Sequence, residues 1–279
     1  MALASSKLLR ETLAKFFADR GTHLAAMIAY FALLSLVPLV FLALALLGFA
    51  ERQDEQSYVV TELNRMFPDQ SVVDILAVVN GIQQNAKALG IVGGIFLAWS
   101  SLSLFSVLES AFNVVYGRPN RSFLRGKALA LVLAVGSLIF LFLALFVGSF
   151  GYEVLKRFAP GVIANDYVAY TLSVLISMLG LFVFLASVYY LLTNERMTFD
   201  EVLPGAVAAT VVLQATFQIL PIYLRVSGNV LSVRAFAGPA LLLIWLYLMS
   251  NVIVFGAEVN WWRTRRRREL AVDEIPGLA

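Results

Sequence analysis

The chain has 279 residues, of which 60% are hydrophobic and 14% are charged, with 21 Lys and Arg against 18 Asp and Glu. A soluble domain has about 25% charged residues, so this composition excludes a water-soluble globular protein. The sequence contains no cysteine, which excludes a disulfide framework and thiolate chemistry.

Six uninterrupted stretches lack Asp, Glu, Lys and Arg, and each is 21 to 28 residues long. A helix needs about 20 apolar residues to cross a bilayer, so each stretch predicts a transmembrane helix. Strands of a membrane barrel would alternate polar and apolar residues over roughly 10 positions, unlike the wholly apolar run from Leu39 to Leu47. We predict an all-α integral membrane bundle, a single domain over 1–262, with helices at about 24–50, 88–116, 128–152, 167–193, 202–224 and 235–260.

The N-terminal segment carries Leu9, Leu13 and Phe16 at helical spacing among basic residues, which is typical of a helix lying in the membrane interface. Arginines also follow Trp261 and Trp262, at the start of a basic tail, 263–279, that we predict to be disordered. These charges predict contact with anionic phospholipid; the alternative is ordinary topology-setting charge beside an aromatic belt. The predicted lipid contacts are Arg10, Lys15, Arg20, Arg263, Arg265 and Arg266.

The loop 51–87 is the only sizeable predicted segment outside the membrane. Two short apolar stripes at helical spacing are separated by Pro68, which predicts an amphipathic helical hairpin on the outer surface. This hairpin is the expected site for an envelope protein partner.

The distribution of Lys and Arg predicts the topology. Fourteen lie in segments on the side of the termini and seven lie on the other side. The positive-inside rule therefore places both termini in the cytoplasm. Residues 195–201 contribute only Arg196, which makes the last pair of helices the weakest part of this prediction.

Polar residues inside a predicted membrane helix require a reason, because their burial in lipid is costly. Glu109 and Asn113 share a face of the second helix, after small residues that include Ser101. They are candidates for a polar cavity that binds a substrate. The alternative is an interfacial carboxylate paired with Arg118 or Arg121, beside small residues that permit close helix packing.

The last two predicted helices carry further candidates for the same cavity. Tyr247, Asn251 and Glu258 follow one face of the sixth helix, and Glu258 lies at a depth similar to that of Glu109. Gln214 and Gln218 share a face of the fifth helix and favour an interhelical hydrogen bond. Three prolines are candidates for helix kinks: Pro38, Pro221 and Pro239.

His23 is the only histidine, and no metal-binding or phosphate-binding motif accompanies it. We therefore predict no catalytic residue, no metal, no cofactor and no nucleic-acid partner.

Four segments in order resemble the YihY/virulence factor BrkB family. The first joins Asp19 to Ala25-Ala26-Met27-Ile28-Ala29-Tyr30-Phe31-Ala32 and Ser35-Leu36-Val37-Pro38-Leu39. The others are Trp99-Ser100-Ser101 with Leu108-Glu109-Ser110-Ala111-Phe112-Asn113, then Pro204-Gly205-Ala206, then Leu246-Tyr247 with Phe255-Gly256-Ala257-Glu258-Val259-Asn260. The resemblance covers about residues 10–262.

The resemblance implies a bacterial inner-membrane protein with six helices. The family was formerly labelled ribonuclease BN, and its members have since been linked to envelope integrity, virulence and lipid traffic. We expect a transporter or flippase of lipids or lipid-linked envelope molecules. The alternatives are a non-catalytic envelope scaffold and, least favoured, a ribonuclease, which would require a metal or acid–base cluster.

Overall fold

A computed structural model describes residues 2–49, 86–137, 139–140, 166–228 and 234–273. Every regular element in these ranges is an α-helix, which confirms the all-α prediction. In chain order they are α1 (Ala2–Ala18), α2 (Gly21–Phe49), α3 (Ala86–Tyr116), α4 (123–137), α5 (Asp166–Leu192), α6 (Phe199–Gly228) and α7 (Arg234–Asp273).

Three described helices are long and apolar enough to cross a membrane: Tyr170–Leu192, Phe199–Ile219 and Ala240–Arg268. Gly21–Leu36 is a shorter apolar helix. The predicted outer hairpin lies outside the described residues, apart from Ala86 and Lys87 at the start of α3. The count of six membrane spans therefore stays a prediction.

Helix α7 is the centre of the bundle and packs against α1, α2, α3 and α6. Helix α3 also contacts α2 and α5, and α5 packs along α6. A single apolar cluster joins all seven helices, with Phe112 and Tyr189 among its largest fully buried side chains. Their ring centroids are 5.2 Å apart, so α3 and α5 meet directly in the core.

The turn after α3 is fixed by a glycine. Gly117 adopts φ 61°, and its N–H donates to Val114 O, while Arg118 N–H donates to Asn113 O at 2.8 Å. This pair of bonds is the Schellman ending, in which a left-handed residue satisfies the last helical carbonyls. Pro119 follows and prevents the helix from continuing.

Helices α6 and α7 approach each other closely at two glycines. A Cβ at residue 205 would overlap the carbonyl oxygen of Gly256, and a Cβ at residue 256 would overlap the Tyr189 hydroxyl. Small residues at such a crossing let two backbones pack directly. Tyr189 OH uses the space to donate to Ile253 O at 2.8 Å, which ties α5 to α7.

The structure differs from the sequence prediction at two helix boundaries. The basic segment is helical to Asp273, where we had predicted a disordered tail from residue 263. Arg and Glu are good helix formers, and Arg267 and Arg268 contact the loop between α5 and α6, so the helix continues past the apolar stretch. Helix α4 begins at residue 123 rather than 128.

The three candidate kink prolines all lie within helices. Pro38 is in α2, Pro221 is in α6, and Pro239 is the sixth residue of α7. Each of these helices continues through its proline without a break.

Candidate functional site

Buried polar side chains concentrate at one end of the bundle, which we call the polar end. It is formed by the last turns of α1, α3 and α5, the first turn of α6, and residues 258–268 of α7. Its buried polar members are Thr12, Glu109, Asn113, Thr193, Glu201, Glu258, Asn260 and Thr264. Because a buried polar group is costly unless it is bonded, the partners of each group decide what this end of the molecule can do.

Glu258 of α7 is the most deeply buried charge, with 0% of its side chain exposed. Lys15 Nζ of α1 lies 3.1 Å from Glu258 Oε2 and also pairs with Asp19. The same ammonium group donates to Val115 O of α3 at 2.7 Å and lies 4.3 Å from the centroid of the Trp261 ring. Lys15 therefore joins α1, α3 and α7.

Several polar atoms at this end lack a hydrogen-bond partner among the described residues. They include both carboxylate oxygens of Glu258, the Oγ1 of Thr12 and the Nδ2 of Asn260. The Lys15–Glu258 contact is thus an ion pair by distance without an aligned hydrogen bond. A carboxylate in this position has free capacity to bind a proton or a polar group.

Glu109 of α3 pairs with the loop that follows it. Arg121 Nη1 lies 3.2 Å from Glu109 Oε1, and the backbone N–H of Arg121 donates to the same oxygen at 3.3 Å. The Arg121 guanidinium also donates to the carbonyls of Leu191, Leu192 and Thr193, at 3.1, 2.5 and 3.0 Å. The predicted alternative, an interfacial carboxylate paired with a loop arginine, describes Glu109 in the structure.

Asn113 has a structural partner on each side of its amide. Its Nδ2 donates to Asn120 Oδ1 at 3.0 Å, and its Oδ1 accepts from the backbone N–H of Asn194 at 2.7 Å. Asn194 Nδ2 in turn donates to Pro119 O at 2.9 Å. Asn113 thus holds the loop after α3 against the loop after α5.

Glu195, between α5 and α6, binds two arginines from distant parts of the chain. Its carboxylate accepts from Arg268 Nη2 at 2.8 Å and pairs with Arg118 Nε. Burial alone would raise the pKa of Glu195, but the hydrogen bonds and charges of Arg268 and Arg118 lower it below its ordinary value. The carboxylate therefore stays ionised and clamps the end of α7 to both loops.

Glu109 and Glu258 both lie at the polar end but do not share a partner. Glu109 is bound by Arg121, and Glu258 is paired with Lys15. The sequence placed the two carboxylates at a similar depth, and both do lie at this end of the bundle. They do not meet in one cavity, because each belongs to a separate ion pair.

A second polar feature, which we call the polar seam, runs between α5 and α6. Tyr170 OH donates to Gln218 Oε1 at 2.8 Å, and Ser177 Oγ donates to Gln214 Oε1 at 3.5 Å. The predicted interhelical hydrogen bonds of the two glutamines are thus present. Thr210 precedes them on the same face of α6, one turn away, and its buried hydroxyl has no hydrogen-bond partner among the described residues.

The other cavity candidates do not join these features. Asn251 Nδ2 donates to Tyr247 O at 2.7 Å, so this pair satisfies its own helix. Ser101 is partly buried on α3. Within the part of the chain that the structure describes, no three His, Cys, Asp or Glu side chains are placed to hold a metal ion.

The predicted lipid contacts separate into two groups. Lys15 is partly buried in its ion pairs rather than facing lipid. The other five side chains are exposed: Arg10, Arg20, Arg263, Arg265 and Arg266. Two of them stack on tryptophans, with Arg265 Cζ 5.3 Å from the Trp261 ring centroid and Arg266 Cζ 5.1 Å from that of Trp262.

Sequence reasoning missed the role of Asn260. Its Oδ1 accepts from the backbone N–H of Gly205 at 2.7 Å and locks the glycine crossing of α6 and α7. Asn260 and Gly205 both lie in the segments that carried the family resemblance, which was the available signal. Glu195 was also missed, because nothing local in the sequence marks a loop carboxylate as the partner of distant arginines.

Comparisons with known proteins relate the chain to a bacterial family. A family model described as Virulence factor BrkB matches residues 12–275. A Bacillus subtilis (strain 168) protein named as ribonuclease-like, YfkH, is 24% identical over 275 residues, which cover 96% of this chain and 98% of that protein. No solved structure matches the chain significantly.

Two UPF0761 membrane proteins are also similar. The one from Aromatoleum aromaticum is 26% identical over 275 residues, covering 92% of this chain and 63% of that protein. The one from Nitrosospira multiformis is 26% identical over 274 residues, covering 92% of this chain and 62% of that protein. The chain therefore spans less than two thirds of these two relatives.

Proposed function

The chain belongs to the virulence factor BrkB family of membrane proteins, and from this premise we propose that it moves lipids or lipid-linked envelope molecules across the bacterial inner membrane. The observation that supports this function is the polar seam. It places the hydrogen-bonding groups of Tyr170, Gln214 and Gln218 along two helices that are apolar enough to cross a membrane.

The seam has the chemistry that a lipid head group needs. Tyr170 is 59% exposed and Gln218 is also exposed, so polar atoms open onto the surface of the bundle. In their bonds to Ser177 and Tyr170, Gln214 and Gln218 use only their Oε1 oxygens, so their amide N–H groups take no part in these bonds. An amide N–H in lipid favours an acceptor oxygen, which a phosphate or sugar head group would supply while its acyl chains stay outside.

The direction of the seam follows from the topology that we propose. With both termini in the cytoplasm, Tyr170 and Gln218 lie toward the outer face and Thr210 lies deeper, about 12 Å along α6. The polar end, with its ion pairs, then lies at the cytoplasmic face. A head group would enter the seam from the outer leaflet, and the polar end would close the path below it.

The direct test is lipid movement in proteoliposomes. Purified protein is reconstituted with a fluorescent phospholipid, and the fraction accessible to an external reductant is followed with time. We expect protein-dependent exchange between leaflets, and the simultaneous substitution of Gln214 and Gln218 by Leu should slow it. Exchange no faster than in empty vesicles, with and without a pH gradient, would refute the proposal.

A second candidate function, an envelope scaffold, is favoured by the polar end. Glu109 and Asn113 are both occupied in bonds that hold loops and helices together, and the glycine crossing leaves α6 and α7 in direct contact. A scaffold would use this rigidity to present the segment 51–87 to an envelope protein. Site-specific crosslinking from that segment in cells, with one recurrent partner and no lipid movement in vitro, would favour the scaffold.

A further inference from the structure

We propose that Glu258 is a proton-binding site and that Lys15 is the latch it controls, so that uptake of one proton by the Glu258 carboxylate releases α1 from α7. The proposal deepens the proposed function, because it names the coupling ion. The binding of the proton itself is measurable whether or not lipid moves.

Within the described residues, the Glu258 carboxylate is isolated from hydrogen-bond donors. It is fully buried, and neither of its oxygens has a hydrogen-bond partner among the described residues. In the part of the chain that the structure describes, Lys15 is the one cation paired with it, at 3.1 Å. A buried carboxylate with one imperfectly aligned cation stays ionised only while that cation remains in place.

Lys15 is shared between Glu258 and several other groups. Its ammonium group also pairs with Asp19, donates to Val115 O and lies against the Trp261 ring. When Glu258 is neutral, Lys15 loses its ion pair with α7 and keeps Asp19 and Val115 O. The described contacts that still join α1 to α7 are then weaker ones: the Trp261 ring beside Lys15, the exposed Trp262–Glu11 hydrogen bond and the Phe16–Phe255 ring contact. Among the described residues, the charged and titratable groups that act on Glu258 are Lys15 and Asp19 on α1 and Tyr116 on α3, and Tyr116 is in turn acted on by Glu195 and Glu201.

Helix α1 has a defined pivot where it joins α2. Arg20 adopts φ 56°, a left-handed conformation that a residue with a side chain rarely occupies, between α1 and α2. Gly21 follows and packs so closely on the Phe16 ring that a Cβ there would overlap it. Backbone N–H groups of His23 and Leu24 donate to Arg20 O and hold this turn, so α1 would swing about it when its ion pair with α7 is lost.

Proton binding changes the charge of Glu258 alone. One proton from water adds to a Glu258 oxygen and converts the carboxylate to a neutral acid. Lys15 keeps its own three protons and its pairing with Asp19. The net change is one positive charge gained at the polar end, and no oxidant, metal or other co-reactant is needed.

The experiment uses the absence of native cysteine. Spin labels on cysteines substituted for Ala14 in α1 and Asp200 in α6, both exposed, report the distance between the two helices in lipid nanodiscs. We expect the distance distribution to lengthen by about 5 Å between about pH 9 and about pH 5. Glu258→Gln, which is neutral at every pH, should show the long distance throughout.

Glu109→Gln is the matched control, because it neutralises the other buried carboxylate of the polar end. It should keep the pH-dependent change, and Glu258→Asp should also keep it. A pH-independent distance in the unsubstituted labelled protein, or the same pH dependence in Glu258→Gln, would overturn the proposal. If the latch responds to pH while lipid exchange is absent, the proposed function fails and the proton site stands.

Discussion

The backbone N–H of Gly205 donates to the side-chain Oδ1 of Asn260 at 2.7 Å, across the contact of two membrane helices. This bond is possible only because residue 205 has no side chain to hold the helices apart. The approach of α6 to α7 is therefore fixed by two residues that are neither charged nor large.

Gly205→Ala should destabilise the protein strongly. The new methyl group would overlap Gly256 O and the Asn260 side chain, neither of which can move freely. Overpacking of this kind costs about 3 kcal/mol. Thermal unfolding in detergent should show a clear drop in Tm. Gly136→Ala is the matched control, because nothing lies within 4 Å of its new methyl group, and its Tm should be unchanged or slightly higher.

Arg121→Ala should be far more damaging than Arg125→Ala. Arg121 binds Glu109 and three carbonyls at the end of α5, whereas Arg125 is exposed on the neighbouring helix. Its loss leaves a buried carboxylate without a counter-charge, which costs about 3 kcal/mol. Chemical or thermal unfolding measures the difference. Equal effects of the two substitutions would show that the Arg121 network contributes nothing to stability.

The contribution of Glu195 to stability should depend on pH. Its pKa is lowered in the folded protein by Arg268 and Arg118, after the opposing effect of burial. Its stabilisation is therefore complete above the unfolded pKa of about 4.3. It is lost as the pH falls through the lower, folded pKa.

The measurement compares the Tm of the unsubstituted protein with that of Glu195→Gln from neutral to acid pH. The unsubstituted protein should be more stable near pH 7, and the difference should shrink in acid. Asp200→Asn, an exposed carboxylate at the start of α6, is the control and should show little difference at any pH. A gap that stays constant with pH would exclude an ionic role for Glu195.

Gln218→Leu should slow lipid exchange while leaving the fold intact. The substitution removes the acceptor of Tyr170 OH and an amide donor of the polar seam. Loss of one hydrogen bond worth about 1.4 kcal/mol corresponds to roughly a tenfold slower rate. Thr216→Val is the control, because the Thr216 hydroxyl donates to Val212 O within its own helix. Equal exchange rates in the two variants would show that the polar seam contributes only to helix packing and not to lipid movement.

The sequence predicted the three described membrane-spanning helices well because their signal is local. Apolar stretches long enough to span a membrane coincide with α5, α6 and most of α7, and Gly117 with Pro119 marks the end of α3. The end of α7 was predicted less well. Its last turns lack the apolar stretch that predicts a membrane helix. They are stabilised by contacts of Arg267 and Arg268 with a loop that is distant in sequence.

The partners of the polar residues were harder to predict than their positions. Glu109, Asn113, Gln214 and Gln218 were recognised as polar groups in apolar surroundings, and Arg121 was one of two named candidates for Glu109. Lys15 was interpreted as a lipid contact, since its charge pattern on α1 is that of an interfacial helix. Its pairing with Glu258 depends on how the first and last helices of the chain meet, which periodicity does not encode.

Helix α7 has 40 residues without a break, which gives a rod about 60 Å long, twice the thickness of the hydrocarbon layer. It packs against α1, α2, α3 and α6. A rod of this length acts as a lever, because a tilt of a few degrees about the bilayer centre moves its far end while its middle stays in place. Small rearrangements among the membrane helices would thus be magnified at Arg268, where the rod meets Glu195.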